Sequence, residues 1–132
     1  MRKSLIFFFL LTFAAINLCA QNGQTAKADS ILFNKLVHDY GTINQGGDGT
    51  CEFTFTNRGA VPIILNNVQA SCGCTVPEWT REPILAGQKG TIKVKYNTQI
   101  VGSFAKVVMV SSNASNPNVM LTIKGTVIAA KP

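Results

Sequence analysis

Cys72 and Cys74, which flank Gly73, are the residues of this 132-residue chain whose types and spacing best suit chemistry. On an extended backbone, residues two apart point to the same side. Their Cα atoms then lie about 7 Å apart, at the outer limit for a disulfide. We expect Gly73 to bend the chain and bring the two sulfur atoms together. The pair can then form a structural disulfide, contribute half of a soft-metal site, or act as a thiol–disulfide exchange centre.

The structural disulfide is favoured, because thiols of exported proteins tend to oxidise. The metal alternative is Cu(I) or Zn(II) held by Cys72, Cys74 and His38, the single histidine, since thiolate and imidazole suit these ions. The exchange alternative comes third. The usual redox motif places two residues between its cysteines at the start of a helix, whereas Pro77 argues against a helix after Cys74.

Two further side chains are candidates for a role. Cys51 lies in an alternating stretch with Phe53 and Phe55, and this pattern predicts a buried, inert thiol. Trp79 lies in a segment, residues 71–90, that we interpret as a loop. It either closes one end of the fold or binds a partner, by protein contact or by stacking on a sugar. We expect this loop, with its two cysteines and its tryptophan, to be the functional surface.

The elements that must position these residues are strands. A two-residue period recurs along the chain, and no segment keeps a 3.6-residue period for ten residues. The predicted strands cover residues 31–37, 50–57, 62–70, 91–97, 104–112 and 119–129. Turn-forming residues separate several of them, and Gly125 suggests a bulge or bend in the last strand. Six or seven short strands in about 100 residues predict an all-β fold, an antiparallel β-sandwich of about seven strands, with a small barrel as the alternative.

The first twenty residues have the layout of a secretory signal peptide, with a basic start, an apolar run and small residues before Gln21. Cleavage would remove Arg2 and Lys3 and lower the net charge from +6 to +4. Cys19 lacks the small residue expected before a lipidated cysteine, so we do not expect a lipid anchor there. We predict a flexible lead-in at residues 21–29 and a single domain at residues 30–132.

Composition argues against several classes of function. Six carboxylates and one histidine leave little material for acid–base catalysis, so we do not expect an enzyme. No basic helix or zinc-finger spacing suggests binding to nucleic acid. The predicted location is the periplasm or the cell exterior, and the chain would meet a membrane only during export.

Several motifs together carry a resemblance to a known family. They are residues 38–43 (His-Asp-Tyr-Gly-Thr-Ile), 53–59 (Phe-Thr-Phe-Thr-Asn-Arg-Gly), 71–75 (Ser-Cys-Gly-Cys-Thr), 83–87 (Pro-Ile-Leu-Ala-Gly) and 124–125 (Lys-Gly). The chain resembles an uncharacterised family of exported bacterial proteins, abundant in the Bacteroidetes, that is named only as a domain of unknown function. The resemblance covers roughly residues 30–128. It implies an immunoglobulin-like fold related to Hydin, major sperm protein and PapD, and it implies no activity.

These observations lead to a ranked expectation about function. The first choice is an exported, non-enzymatic immunoglobulin-like module that binds an envelope protein or a glycan, or assists assembly, in the bacterial cell envelope. The alternative is a periplasmic protein that binds Cu(I) or Zn(II) through Cys72 and Cys74, with His38. A thiol–disulfide exchange protein ranks third.

Overall fold

The computed structural model describes residues 30–131, which form two packed β-sheets and contain no helix. Sheet A has four strands in the spatial order β1-β3-β6-β5, and sheet B has four in the order β2-β8-β7-β4. The predicted all-β sandwich is confirmed, with eight strands. The strands are β1 (Ile31–Phe33), β2 (Val37–Asn44), β3 (Thr50–Asn57), β4 (Leu65–Ala70), β5 (Thr75–Trp79), β6 (Lys89–Tyr96), β7 (Gly102–Ser112) and β8 (Asn118–Ile128).

The core lies between the sheets and follows from the alternation of the strands. In the antiparallel pair β3 and β6, Phe53 lies opposite Ile92 and Cys51 opposite Val94, all on the inner face. Successive strand residues point to opposite faces, so the threonines, lysines and Glu52 between them meet solvent. Sheet B closes the core from the other side, with its innermost side chains contributed by Val108, Val110, Leu121, Ile123 and Val127.

The strand predicted at residues 31–37 is β1 over Ile31–Phe33, and its last residue, Val37, is already the first residue of β2 in the other sheet. β1 pairs with β3 in sheet A, and the chain then crosses to sheet B, where β2 pairs with β8. The pairing of β2 with β8 is parallel, while the other strand pairs are antiparallel. The short apolar run does not reveal this crossing, because no glycine or proline separates its two halves. His38 lies inside β2.

Gly125 serves a close approach between strands. The β7–β8 register is continuous through Phe104 and Gly125, whereas the irregularity falls in β2, between Asp39 and Thr42. A Cβ atom at Gly125 would lie 3.0 Å from the Tyr40 Cβ and 3.2 Å from the Phe104 Cζ. The glycine therefore lets two aromatic side chains pack over the strand, and the bulge predicted in β8 lies in its neighbour.

Part of the predicted loop at residues 71–90 is a strand. β5 pairs antiparallel with β6 and forms one edge of sheet A. Pro77 lies in the middle of β5, which an edge strand tolerates because its outer side forms no ladder hydrogen bonds. Inward Thr75, Pro77 and Trp79 alternate with exposed Val76 and Glu78. This alternation of inward and exposed residues indicates a strand, although Pro77 in the sequence argued against one.

The predicted signal peptide, the lead-in at residues 21–29 and Cys19 lie outside the described residues. Within residues 30–131, no helix is long and apolar enough to cross a membrane.

Candidate functional site

Cys72 and Cys74 lie in the turn that carries the chain from sheet B to sheet A, between β4 and β5. The two sulfur atoms are joined as a disulfide, and their Cα atoms are 5.3 Å apart. Gly73 has no positive φ and nothing lies within 4 Å of the place of a Cβ atom. The turn therefore brings the sulfurs together without the special backbone freedom of glycine, contrary to the role expected for Gly73.

Backbone hydrogen bonds fix both ends of this turn. Ser71 N donates to Val107 O at 2.8 Å on the sheet B side, and Asn97 N donates to Cys74 O at 2.8 Å on the sheet A side. Both cysteines are half-buried. The hydroxyl of Thr75 is buried beneath them, with its Oγ1 atom 3.9 Å from each sulfur.

His38 lies far from the disulfide. It pairs with Ile123 in β8, and Ile123 pairs with Lys106 in β7. β4, which leads into Cys72, lies beyond β7. Three strand spacings therefore separate His38 from this end of the sheet, about 14 Å.

The surroundings of His38 also differ from those of a metal ligand. Its Nδ1 atom is 2.9 Å from Lys35 Nζ, and burial, followed by the charge of Lys35, lowers its pKa. The predicted ligand set of Cys72, Cys74 and His38 is therefore not assembled. No other group of three or more His, Cys, Asp or Glu residues within 30–131 could hold a metal ion. The disulfide sulfurs also lack the thiolate charge that binds soft metals, so this arrangement does not fit Cu(I) or Zn(II).

Trp79 lies at the far end of β5 from the disulfide and packs against the core. Arg81 covers its ring, with the Cζ atom 3.9 Å from the ring centroid. Trp79 Nε1 is the one buried side-chain nitrogen or oxygen atom among the described residues that lacks a hydrogen-bond partner. A sugar that stacks on tryptophan needs an open ring face, and here Arg81 occupies that position.

Cys51 lies in the core, where the alternation of β3 placed it, and its thiol is free. Burial raises its pKa, and burial likewise raises the pKa of the neighbouring Tyr40. The Tyr40 hydroxyl donates a 2.6 Å hydrogen bond to Gly49 O. A buried thiol with a raised pKa is a poor nucleophile, so Cys51 takes no part in the surface chemistry.

A third surface was missed by the sequence reasoning. Met109 in β7 lies directly opposite Met120 in β8, and both point outward from sheet B. In the adjacent row, Val107 and Val37 lie on either side of Thr122. We call Val37, Val107, Met109 and Met120 the methionine face.

Three of the four side chains of the methionine face are exposed, Val107 is half-buried, and charged residues border the face. Met120 is 54% exposed and Val37 48% exposed. The next row contains the charged pair Lys124 and Asp39, with Nζ and Oδ2 3.9 Å apart. The signal for this face was the alternation within β7 and β8, which leaves methionine and valine on the outer side of strands whose inner side supplies much of the core.

Comparison with known proteins identifies one family. Residues 31–127 match the family described as "Protein of unknown function (DUF1573)". None of the curated proteins is significantly similar to the chain in sequence.

Several solved structures share the fold. A protein of unknown function from Porphyromonas gingivalis W83 is 18% identical, with a TM-score of 0.66 over 76% of this chain and 48% of that one. The chain thus spans about half the length of that protein. The PapD-like domain 7 of human CEP192 is 8% identical, with a TM-score of 0.67 over 80% of this chain and 89% of that one. The secreted serine protease VesC from Vibrio cholerae is 16% identical, with a TM-score of 0.59 over 81% of this chain and 25% of that one. Identities this low show a shared fold alone.

Proposed function

The chain belongs to the DUF1573 family of proteins of unknown function, and we propose that it acts as a non-enzymatic binding or assembly module of the bacterial cell envelope. The observation that carries this proposal is the methionine face. A contiguous exposed apolar patch with a polar border is typical of a surface that another protein covers. The expected partner is an envelope protein with an uncharged, apolar contact surface.

The chemistry of the described residues supports a module without catalysis. Asp39 is paired with Lys124, and Glu52 and Glu78 lie on either side of Lys93 on the outer face of sheet A. Such cross-strand charges are typical of a solvated sheet face. The similarity to the VesC protease covers a quarter of that protein and transfers no catalytic residue to this chain.

Two features support the envelope as the location. The expected signal peptide at residues 1–20 would export the chain. The disulfide between Cys72 and Cys74 suits a compartment in which thiols become oxidised.

The test uses a photo-reactive amino acid at position 120 of the full chain, expressed in a bacterium that exports it. We expect one discrete cross-linked adduct from the probe at position 120. In the chain without the probe, we expect the native complex with the same partner to be lost in the double variant Met109→Gln, Met120→Gln. Methionine and glutamine have similar length, so the fold is expected to persist. The matched control, Leu32→Gln with Leu85→Gln, removes two comparably exposed apolar side chains away from the face.

The outcomes separate the two surfaces. Loss of the complex in the methionine variant alone supports the proposal. Loss in Trp79→Ala alone would transfer the binding site to the tryptophan predicted from the sequence. Equal loss in the control variant would show that general surface hydrophobicity, and not the methionine face, holds the partner.

A further inference from the structure

The Cys72–Cys74 disulfide contributes little that the fold needs. It joins residues only two apart, and the stabilisation from a disulfide decreases as the loop that it closes becomes shorter. The turn is also held independently, by Ser71 N to Val107 O and by Asn97 N to Cys74 O. Reduction would therefore leave both ends of the turn in place.

The disulfide lies where another molecule can reach it, and its two sulfurs are not equivalent. Both cysteines are half-buried in a surface turn, next to exposed Ser71 and Gly73. Cys74 packs against the hydrophobic core, which blocks approach to its sulfur from that side. An incoming thiolate must approach along the S–S axis from outside the core, and this geometry favours Cys72 Sγ as the atom attacked.

Thr75 supplies a hydroxyl that can stabilise a thiolate, which is the role that the start of a helix has in the usual redox motif. Its side chain is 3% exposed, and its hydroxyl lies 3.9 Å from both sulfurs. A buried hydroxyl at this position can donate a hydrogen bond to the negative charge that develops on the departing sulfur. Hydrogen bonds to a charged acceptor are stronger than those to a neutral one, so this contact favours the broken disulfide.

We propose that the Cys72–Cys74 disulfide is an exchangeable redox centre that accepts two electrons from a pair of thiols on another protein, with Thr75 as the residue that stabilises the leaving thiolate. The proposal does not depend on the methionine face.

The exchange balances in two steps. A thiolate of the partner attacks Cys72 Sγ, the S–S bond breaks, and the electron pair leaves on Cys74 Sγ, which takes up a proton. The partner's second thiol, after losing its proton, attacks the partner sulfur of the mixed disulfide. Cys72 then leaves and takes up a proton. The partner ends as a disulfide and this chain as a dithiol, so two electrons and two protons have been transferred.

The first experiment measures how fast a synthetic peptide with two cysteine thiols reduces the purified protein, in a Cys51→Ala background, with thiols counted by mass. We expect complete reduction with the folded spectrum retained and a melting temperature lowered by less than about 10 °C. Unfolding on reduction would make the disulfide a structural one and overturn the proposal, as would resistance to an excess of the peptide.

The second experiment separates the role of the Thr75 hydroxyl from packing. Thr75→Val keeps the shape of the side chain and is expected to slow reduction about fivefold, the effect of one lost hydrogen bond. Thr75→Ser keeps the hydroxyl and is expected to restore the rate. Equal rates in wild type and Thr75→Val would refute the assignment of Thr75.

The third experiment tests which of the two sulfur atoms is attacked by the incoming thiolate. In Cys74→Ser the remaining Cys72 thiol is expected to form a mixed disulfide with oxidised glutathione faster than the Cys74 thiol does in Cys72→Ser. Equal rates, or a faster Cys74, would contradict the assignment of Cys72 as the attacked atom. Failure of all three experiments would leave the binding proposal untouched, because that proposal is tested through Met109 and Met120 and does not require exchange at the disulfide.

Discussion

Asn57 shows how much a single buried polar side chain can organise. It is fully buried, and its Nδ2 atom donates to Val61 O at 2.7 Å and to Ile84 O at 2.9 Å. Its Oδ1 atom accepts from Gly59 N at 2.9 Å. One side chain therefore joins the end of β3 to two separate loops, which gives the Asn-Arg-Gly sequence at residues 57–59 a structural reason.

We predict that Asn57→Ala lowers the free energy of unfolding by about 3 kcal/mol, because one buried carbonyl, one part-buried carbonyl and one buried amide lose their partner. Urea unfolding measures this change. The control is Asn66→Ala, at an exposed position of β4, which is expected to change stability by less than about 0.5 kcal/mol. Similar losses in the two variants would show that the Asn57 hydrogen bonds do not hold this end of the sandwich.

At the residue scale, the burial of a side chain could be predicted from the sequence, whereas the distance between side chains on different strands could not. The place of Cys51 followed from alternation, because a two-residue period fixes the face. The separation of His38 from Cys72 did not, because it depends on which strands lie between them. The contact of Thr75 with both sulfurs depends on the path of the turn, which no periodicity describes.

Among the secondary-structure elements, β6 shows how one glycine sets the spacing within a sheet. Gly90 lies opposite Phe55 in β3, and the Phe55 ring lies directly over it. A Cβ atom at position 90 would overlap the Phe55 Cζ and come within 2.9 Å of its Cε1 and Cε2 atoms. Gly73, by contrast, has open space around it.

We predict that Gly90→Ala lowers the free energy of unfolding by about 2 kcal/mol, since the phenylalanine must leave its packed position. Gly73→Ala serves as the matched control. It is expected to lie within about 0.5 kcal/mol of wild type and to keep the disulfide, as urea unfolding and thiol counting can show. A large loss in Gly73→Ala would restore the conformational role first expected for that glycine.

The prediction of elements failed where tertiary structure overrides a local signal. β3 was predicted with its observed bounds, because nothing within it breaks the alternation. β5 was missed because Pro77 normally ends a strand, and only a place at the edge of a sheet makes it acceptable. The crossing between β1 and β2 carries no distinctive residue, so a single strand was predicted there.

On the scale of the whole molecule, the loop between β7 and β8 connects segments that belong to different sheets. Asn116 accepts from Ile31 N at 3.0 Å and donates to Ile31 O at 2.9 Å, as a neighbouring strand would. Asn113 accepts from Ile64 N at 2.7 Å and donates to Pro62 O at 3.2 Å. One loop thus holds β1 of sheet A and the segment before β4 of sheet B.

This arrangement predicts coupling between the two asparagines. Asn116→Ala and Asn113→Ala are each expected to lower the free energy of unfolding by about 1–2 kcal/mol, because each removes two hydrogen bonds to backbone. Loss of one asparagine's hydrogen bonds frees the shared loop and weakens the hydrogen bonds of the other asparagine. The double variant is therefore expected to lower the free energy of unfolding by at least about 0.5 kcal/mol less than the sum of the two single variants.

A double-mutant cycle in urea measures the coupling, with Asn118→Ala in the same hairpin as the control. Asn118 accepts a hydrogen bond from Ser111 Oγ of the adjacent strand and contacts neither anchored segment through it, so its loss should not couple to Asn116. Hydrogen exchange adds a local measure: Asn116→Ala should speed exchange of the Ile31 amide, whose proton then lacks its acceptor. Full additivity of Asn113 and Asn116 would mean that each segment is anchored independently, and that the loop does not transmit stability from one sheet to the other.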